Sequence, residues 1–166
     1  MPGSPVTPSR RLIGGLLAAA ALAACDGPGS TASVPPPPAG FQFASAAPDC
    51  APWDGPAVTI LLSNHPGSDT AGIAENVRPL IRVVLYPRGT GVTGQKFHWP
   101  ADPEMAVGQR CPAEGECETA SDGDVNLLPS PADSALEGSL RLHFSDGTTV
   151  SGGFHATWHP RRMLCG

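Results

Sequence analysis

Residues 136–158 read LEGSLRLHF SDG TTVSGGFHATW, two alternating runs on either side of a turn triplet. Alternation with a period of two is the pattern of a half-buried strand, so the segment predicts a β-hairpin. Parity selects its loop, because opposed residues of an antiparallel pair share a face. A two-residue loop at Asp146-Gly147 would set Leu142 against Ser151 and His143 against Val150, mixing apolar with polar. A three-residue loop opposes Phe144 to Thr148, Leu142 to Val150, Leu140 to Gly152, Gly138 to Phe154 and Leu136 to Ala156, and the apolar side chains then share a face. Ser145-Asp146-Gly147 suits that loop, with a type I turn followed by Gly147 in the left-handed bulge position. The opposite face then carries Arg141, His143, His155, Thr157 and His159, with His155 across from Glu137.

Working outward, short apolar runs alternate with turn residues. Strands are expected at 57–63 (AVTILLS), at 80–86 (LIRVVLY, bounded by Pro79 and Pro87) and at 95–99 (QKFHW). In the last, Phe97 and Trp99 fall on one side and Lys96 and His98 on the other. Two shorter strands, 117–120 and 124–128, flank Ser121-Asp122-Gly123, which is expected to turn like its twin at 145–147. No stretch makes a convincing helix. The fold class is therefore all-β, a small disulfide-stapled antiparallel β-sandwich or barrel.

The other end of the chain is of a different kind. Arg10-Arg11 precedes the apolar run 12–24, which closes on Leu22-Ala23-Ala24-Cys25. A basic start, a short apolar core and small residues before a cut site form a secretory leader, and 13 residues are too few to span a hydrocarbon core of ~30 Å as a helix. Leu22-Ala23-Ala24-Cys25 resembles the lipobox of bacterial lipoproteins. The resemblance covers about 25 residues and implies that Cys25 is acylated, for instance with palmitate, and becomes the first mature residue. Several acyl chains anchor a protein firmly where one holds it only marginally. The implied address is the bacterial cell envelope, facing the periplasm, and Asp26 resembles the enteric signal for retention at the inner membrane. Residues 26–40, DGPGSTASVPPPPAG, read as a spacer with a stiff polyproline II stem at Pro35 to Pro38. The expected organisation is a leader at 1–24, an anchor and disordered linker at 25–49, and a β domain at 50–166.

An even cysteine count in an exported domain reads as disulfides. Cys111 and Cys117 are close in sequence with Pro112 and Gly115 between them, and Cys50 and Cys165 bracket the domain, so the expected bridges are Cys111–Cys117 and Cys50–Cys165. A zinc site lacks its usual closely spaced cysteine pairs. With Arg10 and Arg11 removed from the 10 basic residues, the 15 acidic ones outnumber what remains nearly two to one. That balance speaks against nucleic-acid binding.

No reaction is identified. His155 and His159 are four apart, but four strand residues span ~13 Å, too far for one metal ion. Asp122, Asp124 and Asn126, with Asp133 at the twelfth position, begin like a calcium loop, yet Leu127 stands where the turn needs glycine. No G-x-S-x-G elbow is present, and the cysteines are assigned to bridges or to the anchor. Trp53, Trp99 and Trp158 are expected as core or half-buried anchors. The expectation is a non-enzymatic binding or structural module without metal or cofactor, held to the membrane by its lipid and engaging an envelope protein or glycan through Arg141, His143, His155, Thr157 and His159. The alternative is an inhibitor of an envelope-attacking enzyme. Lipid-anchored lysozyme inhibitors are also small, acidic and disulfide-bearing, and Ser151-Gly152 is similar to a Ser-Gly motif of theirs, although here it sits within a strand.

Overall fold

A computed structural model describes residues 33–67, 72–89, 91–100, 105–130 and 135–165. The leader, Cys25 and Asp26 lie outside the described residues, as does Asp133. Among the described residues nine strands follow in chain order: β1 (Phe43–Cys50), β2 (Pro56–Ser63), β3 (Leu80–Leu85), β4 (Lys96–Trp99), β5 (Ala106–Cys111), β6 (Glu118–Thr119), β7 (Asp122–Leu127), β8 (Ala135–His143) and β9 (Thr149–Trp158). They form one sheet in the order β4-β7-β8-β9-β1-β2-β3-β5-β6. All pairings are antiparallel except a short parallel contact of β1 with β9, Ser45 beside Thr157 and Ala46 beside Trp158.

The β8–β9 hairpin has the register that parity demands. Leu142 opposes Val150, Leu140 opposes Gly152, Gly138 opposes Phe154 and Leu136 opposes Ala156. Phe144 and Thr148 close the loop, Phe144 N–H donating to the Thr148 carbonyl at 3.0 Å, and Gly147 has φ 82°. That φ is the left-handed conformation that glycine adopts without a Cβ penalty.

The sheet rolls on itself without becoming a closed barrel. The roll is made by the stretch that contains β6 and β7. Ala120 N–H donates to Gly108 of β5 and Ser121 N–H to the His143 carbonyl of β8, both at 2.8 Å. Consecutive amides of one segment thus hold the two ends of the sheet. Inside lies the main core, with Ile60, Val83, Leu85, Val125 and Leu142 fully buried together. The Trp99 indole fills the gap between β5 and β7. A Cβ on Gly108 would stand 2.9 Å from Trp99 Cζ2, and one on Gly123 only 2.6 Å from it.

That contact corrects the reading of Ser121-Asp122-Gly123. Asp122 and Gly123 belong to β7, and Gly123 makes room for an indole rather than a turn. The folded part also begins before the expected residue 50. The first strand starts at Phe43, and Pro38 is already buried. β1 lacks β-branched residues, but its alanines fit between two neighbours, and Ala46 and Ala47 are buried. Ala46 turns its carbonyl toward the β9 side, where it accepts from His159 N–H at 2.8 Å. Pro48, two positions on, therefore points its missing N–H to the same side, past the end of the pairing with β9.

Both bridges form as expected. Cys50–Cys165 joins the end of β1 to the tail that follows β9, with Cα atoms 5.5 Å apart, and Cys111–Cys117 closes the β5–β6 connection with Cα atoms 4.1 Å apart. Over β2 and β3 the outer face is covered. Leu61, Ile73, Leu80 and Cys111 form one small cluster and Ala51, Ala57 and Val84 another. Its buried hydroxyls are satisfied: Thr59 donates to Asp49 at 2.5 Å, and Ser45 accepts from Ile73 N–H at 3.1 Å.

Candidate polar binding face

Over β4, β7, β8 and β9 the outer face is polar, and strand parity explains each member. Residues two apart on a strand share a face, so Lys96 and His98, then Asp124 and Asn126, then Ser139 and Arg141, then Ser151 all point away from the core. The ladder aligns them in rows. Asp124 lies beside His98 on one flank and Arg141 on the other, and Arg141 beside Ser151. Asn126 lies between Lys96 and Ser139. Asp124, Asn126, Ser139, Arg141 and Ser151, with Pro35 as a further wall, border a shallow cleft of about 380 Å³.

Among the described residues the pairing within this face leaves Lys96 and Arg141 without an ion-pair partner, and of the two only Arg141 borders the cleft. His98 Nδ1 is 2.7 Å from Asp124, so that carboxylate bonds across to β4. His155 Nδ1 is 2.8 Å from Glu137, as the register requires. His143 Nδ1 is 2.9 Å from the Thr149 hydroxyl, with Asp122 3.8 Å from its other ring nitrogen. Among the described residues Arg141 has no carboxylate within ion-pair distance, and its side chain is exposed. A guanidinium beside two hydroxyls and an amide can accept a carboxylate or phosphate in bidentate fashion while the short side chains bond hydroxyl groups.

The five residues singled out from the sequence do not form one patch. Arg141, His143, His155 and Thr157 lie on the outer side of the hairpin, but only Arg141 borders the polar cleft. His155 and Thr157 line a second cleft of about 340 Å³ with Phe43, Ser45, Gly72 and His159. His159 is a correction. It follows the last residue of β9 and is 7% exposed, not on the open strand face. Its ring packs under Gly72, where a Cβ would come within 2.8 Å of it and 2.9 Å of Ser45. Asn126 and Ser151 enter the sequence reading only as a calcium-loop position and as part of a Ser-Gly motif, and Ser139 not at all, although the alternation that places Arg141 outward also places Ser139 and Ser151 there.

A separate ionic cluster pins the hairpin turn. Arg110 of β5 donates to Glu118 of β6 and to Asp146 of the β8–β9 loop, and its guanidinium sits 4.3 Å from the Phe144 ring centroid. Hydrogen bonds from the Thr148 hydroxyl, Arg110 and the Thr148 amide hold the Asp146 carboxyl down at about 2. Arg110 and Ser145 likewise lower Glu118. Glu118 is thus committed to internal partners, Arg110 and Ser145. Asp122, Asp124 and Asn126 are strand residues, and among the described residues no group of three His, Cys, Asp or Glu side chains could hold a metal ion. Of the tryptophans, Trp99 is buried, Trp158 half-buried, and Trp53 is 55% exposed with its ring 4.8 Å from that of Tyr86.

No protein-family model, curated protein or solved structure matches this chain.

Proposed function

We propose that this chain is an exported bacterial lipoprotein, anchored through Cys25, whose β domain works without catalysis as a binding module for an envelope glycan. The carrying observation is the Arg141 guanidinium, without an ion-pair partner among the described residues, in a cleft edged by Asn126, Ser139, Ser151 and the His98-bonded Asp124. Short hydroxyl and amide side chains suit sugar hydroxyls, and the guanidinium suits a carboxylate on the glycan. Two disulfides fit an oxidising compartment outside the cytosol. The acidic balance favours a domain that stands off anionic lipid and uses a local basic group for contact.

The test is co-sedimentation of the full-length protein with purified cell-wall sacculi. Wild type is expected in the pellet, and Arg141→Ala should lose about tenfold in affinity, the discrimination given by a lost charged hydrogen bond. Equal sedimentation of both proteins would refute the assignment of the face. Lysozyme inhibition by the purified protein, with no sacculus binding, would replace the module by an inhibitor. Anchoring is tested separately. A fatty-acid analogue should label wild type and not Cys25→Ser, since that thiol is the attachment point the lipobox implies.

A further inference from the structure

We propose that the edge of β9 at Gly152-Gly153 is a binding site for a proline-rich segment, filled here by the chain's own residues 34–38. Gly153 N–H donates to the Pro36 carbonyl at 2.8 Å. A Cβ on Gly153 would stand 2.0 Å from the Pro35 carbonyl oxygen and 2.6 Å from Val34 Cγ1. One on Gly152 would stand 2.4 Å from the Pro38 nitrogen and 2.8 Å from the Pro36 carbonyl oxygen. Neither glycine has a positive φ, so backbone conformation does not require them. What requires them is the segment lying against them, whose contacting atoms are mostly backbone and cannot swing aside.

The chemistry of the ligand follows from the edge it meets. β1 takes up the flank of β9 only from Ser45 and Thr157 onward. Ahead of that point the β9 edge would be open, and an open edge is a template for a further strand. Proline accepts through its carbonyl and has no N–H to offer, so a proline run satisfies the Gly153 donor and presents no donors of its own. It also arrives stiff, which lowers the entropy lost on docking. Pro38 ends the site. It is buried, its carbonyl accepts from Phe41 N–H at 3.0 Å, and Phe41 packs on the core.

Amide exchange on the full-length chain tests this. In Pro35→Ser/Pro36→Ser/Pro37→Ser the Gly153 amide should exchange about tenfold faster than in wild type, with Leu140 and Leu142 unchanged as controls for the fold. A synthetic peptide SVPPPPAG should then slow Gly153 exchange saturably, while SVSSSPAG should not. Gly153→Ala reads the same contact from the receptor side and should speed exchange at Phe41. The proposal is overturned if Gly153 exchanges alike in wild type and the serine variant, if the proline peptide leaves the variant's Gly153 rate unchanged, or if Gly153→Ala leaves Phe41 as protected as before.

Discussion

The Arg110 guanidinium meets the Asp146 carboxylate at 2.6 Å, joining β5 to the turn of a hairpin whose strands lie on the far side of the sheet order. The same guanidinium holds Glu118 of β6. One side chain thus ties together the three chain segments that bring the ends of the sheet round the core.

This pin has a pH signature. A carboxyl whose folded value lies below its unfolded one contributes stability that is present above the unfolded value and lost as pH falls through the folded one. For Asp146 that window runs from its ordinary 3.8 down to about 2, and the lowered Glu118 adds in the same direction from 4.5. Thermal unfolding of Arg110→Gln should therefore fall below wild type above pH 5, with the gap narrowing as pH drops toward 2. The groups are exposed, so salt should shrink the gap too. A gap independent of pH would show that Arg110 acts through its packing on Phe144 instead.

Gly123→Ala should destabilise by ~1–3 kcal/mol, the usual cost of forcing a group into a filled core. The added methyl would lie 2.6 Å from Trp99 Cζ2 and 2.9 Å from the Arg141 carbonyl oxygen. Urea unfolding followed by tryptophan emission measures both the loss and the displaced indole. A variant as stable as wild type, with unchanged emission, would remove Trp99 as the reason for this glycine.

The two bridges should differ in worth. Cys50–Cys165 spans 115 residues and Cys111–Cys117 only 6. Chain-entropy reasoning gives ~4–5 kcal/mol for the long loop and about 2 for the short one. Denaturant midpoints of C50A/C165A and C111A/C117A should fall in that order. The reverse order would mean that the short bridge sets the β5–β6 geometry on which Arg110 and Glu118 depend.

Much of the architecture was legible because alternation is a local signal. It placed Phe97 and Trp99 inward and His98 outward, and it set the β8–β9 register residue by residue. β1 and β5 carry no such signal. Their alanines, Pro48 and Gly108 look like linker until β2, β3 and β9 stand beside them. Gly123 is similar, since only a distant Trp99 distinguishes it from the turn glycine at 147. His159 keeps the side that parity gives it, lining one cleft with His155 and Thr157, but it is buried because Gly72 packs against its ring, a contact that no local pattern encodes. The polar cleft was half visible. Parity turned Arg141, Ser139 and Ser151 outward, but their union with Asp124 and Asn126 depends on β7 lying next to β8, which no local pattern encodes.

Chemical-shift mapping of the full-length protein with soluble cell-wall glycan fragments tests the proposed binding face most directly. Perturbations should gather at Asn126, Ser139, Arg141 and Ser151, saturate with fragment concentration, and vanish in Arg141→Ala while that variant keeps its fold. Saturable shifts centred elsewhere, or none at any concentration, would contradict a glycan-binding role for this face.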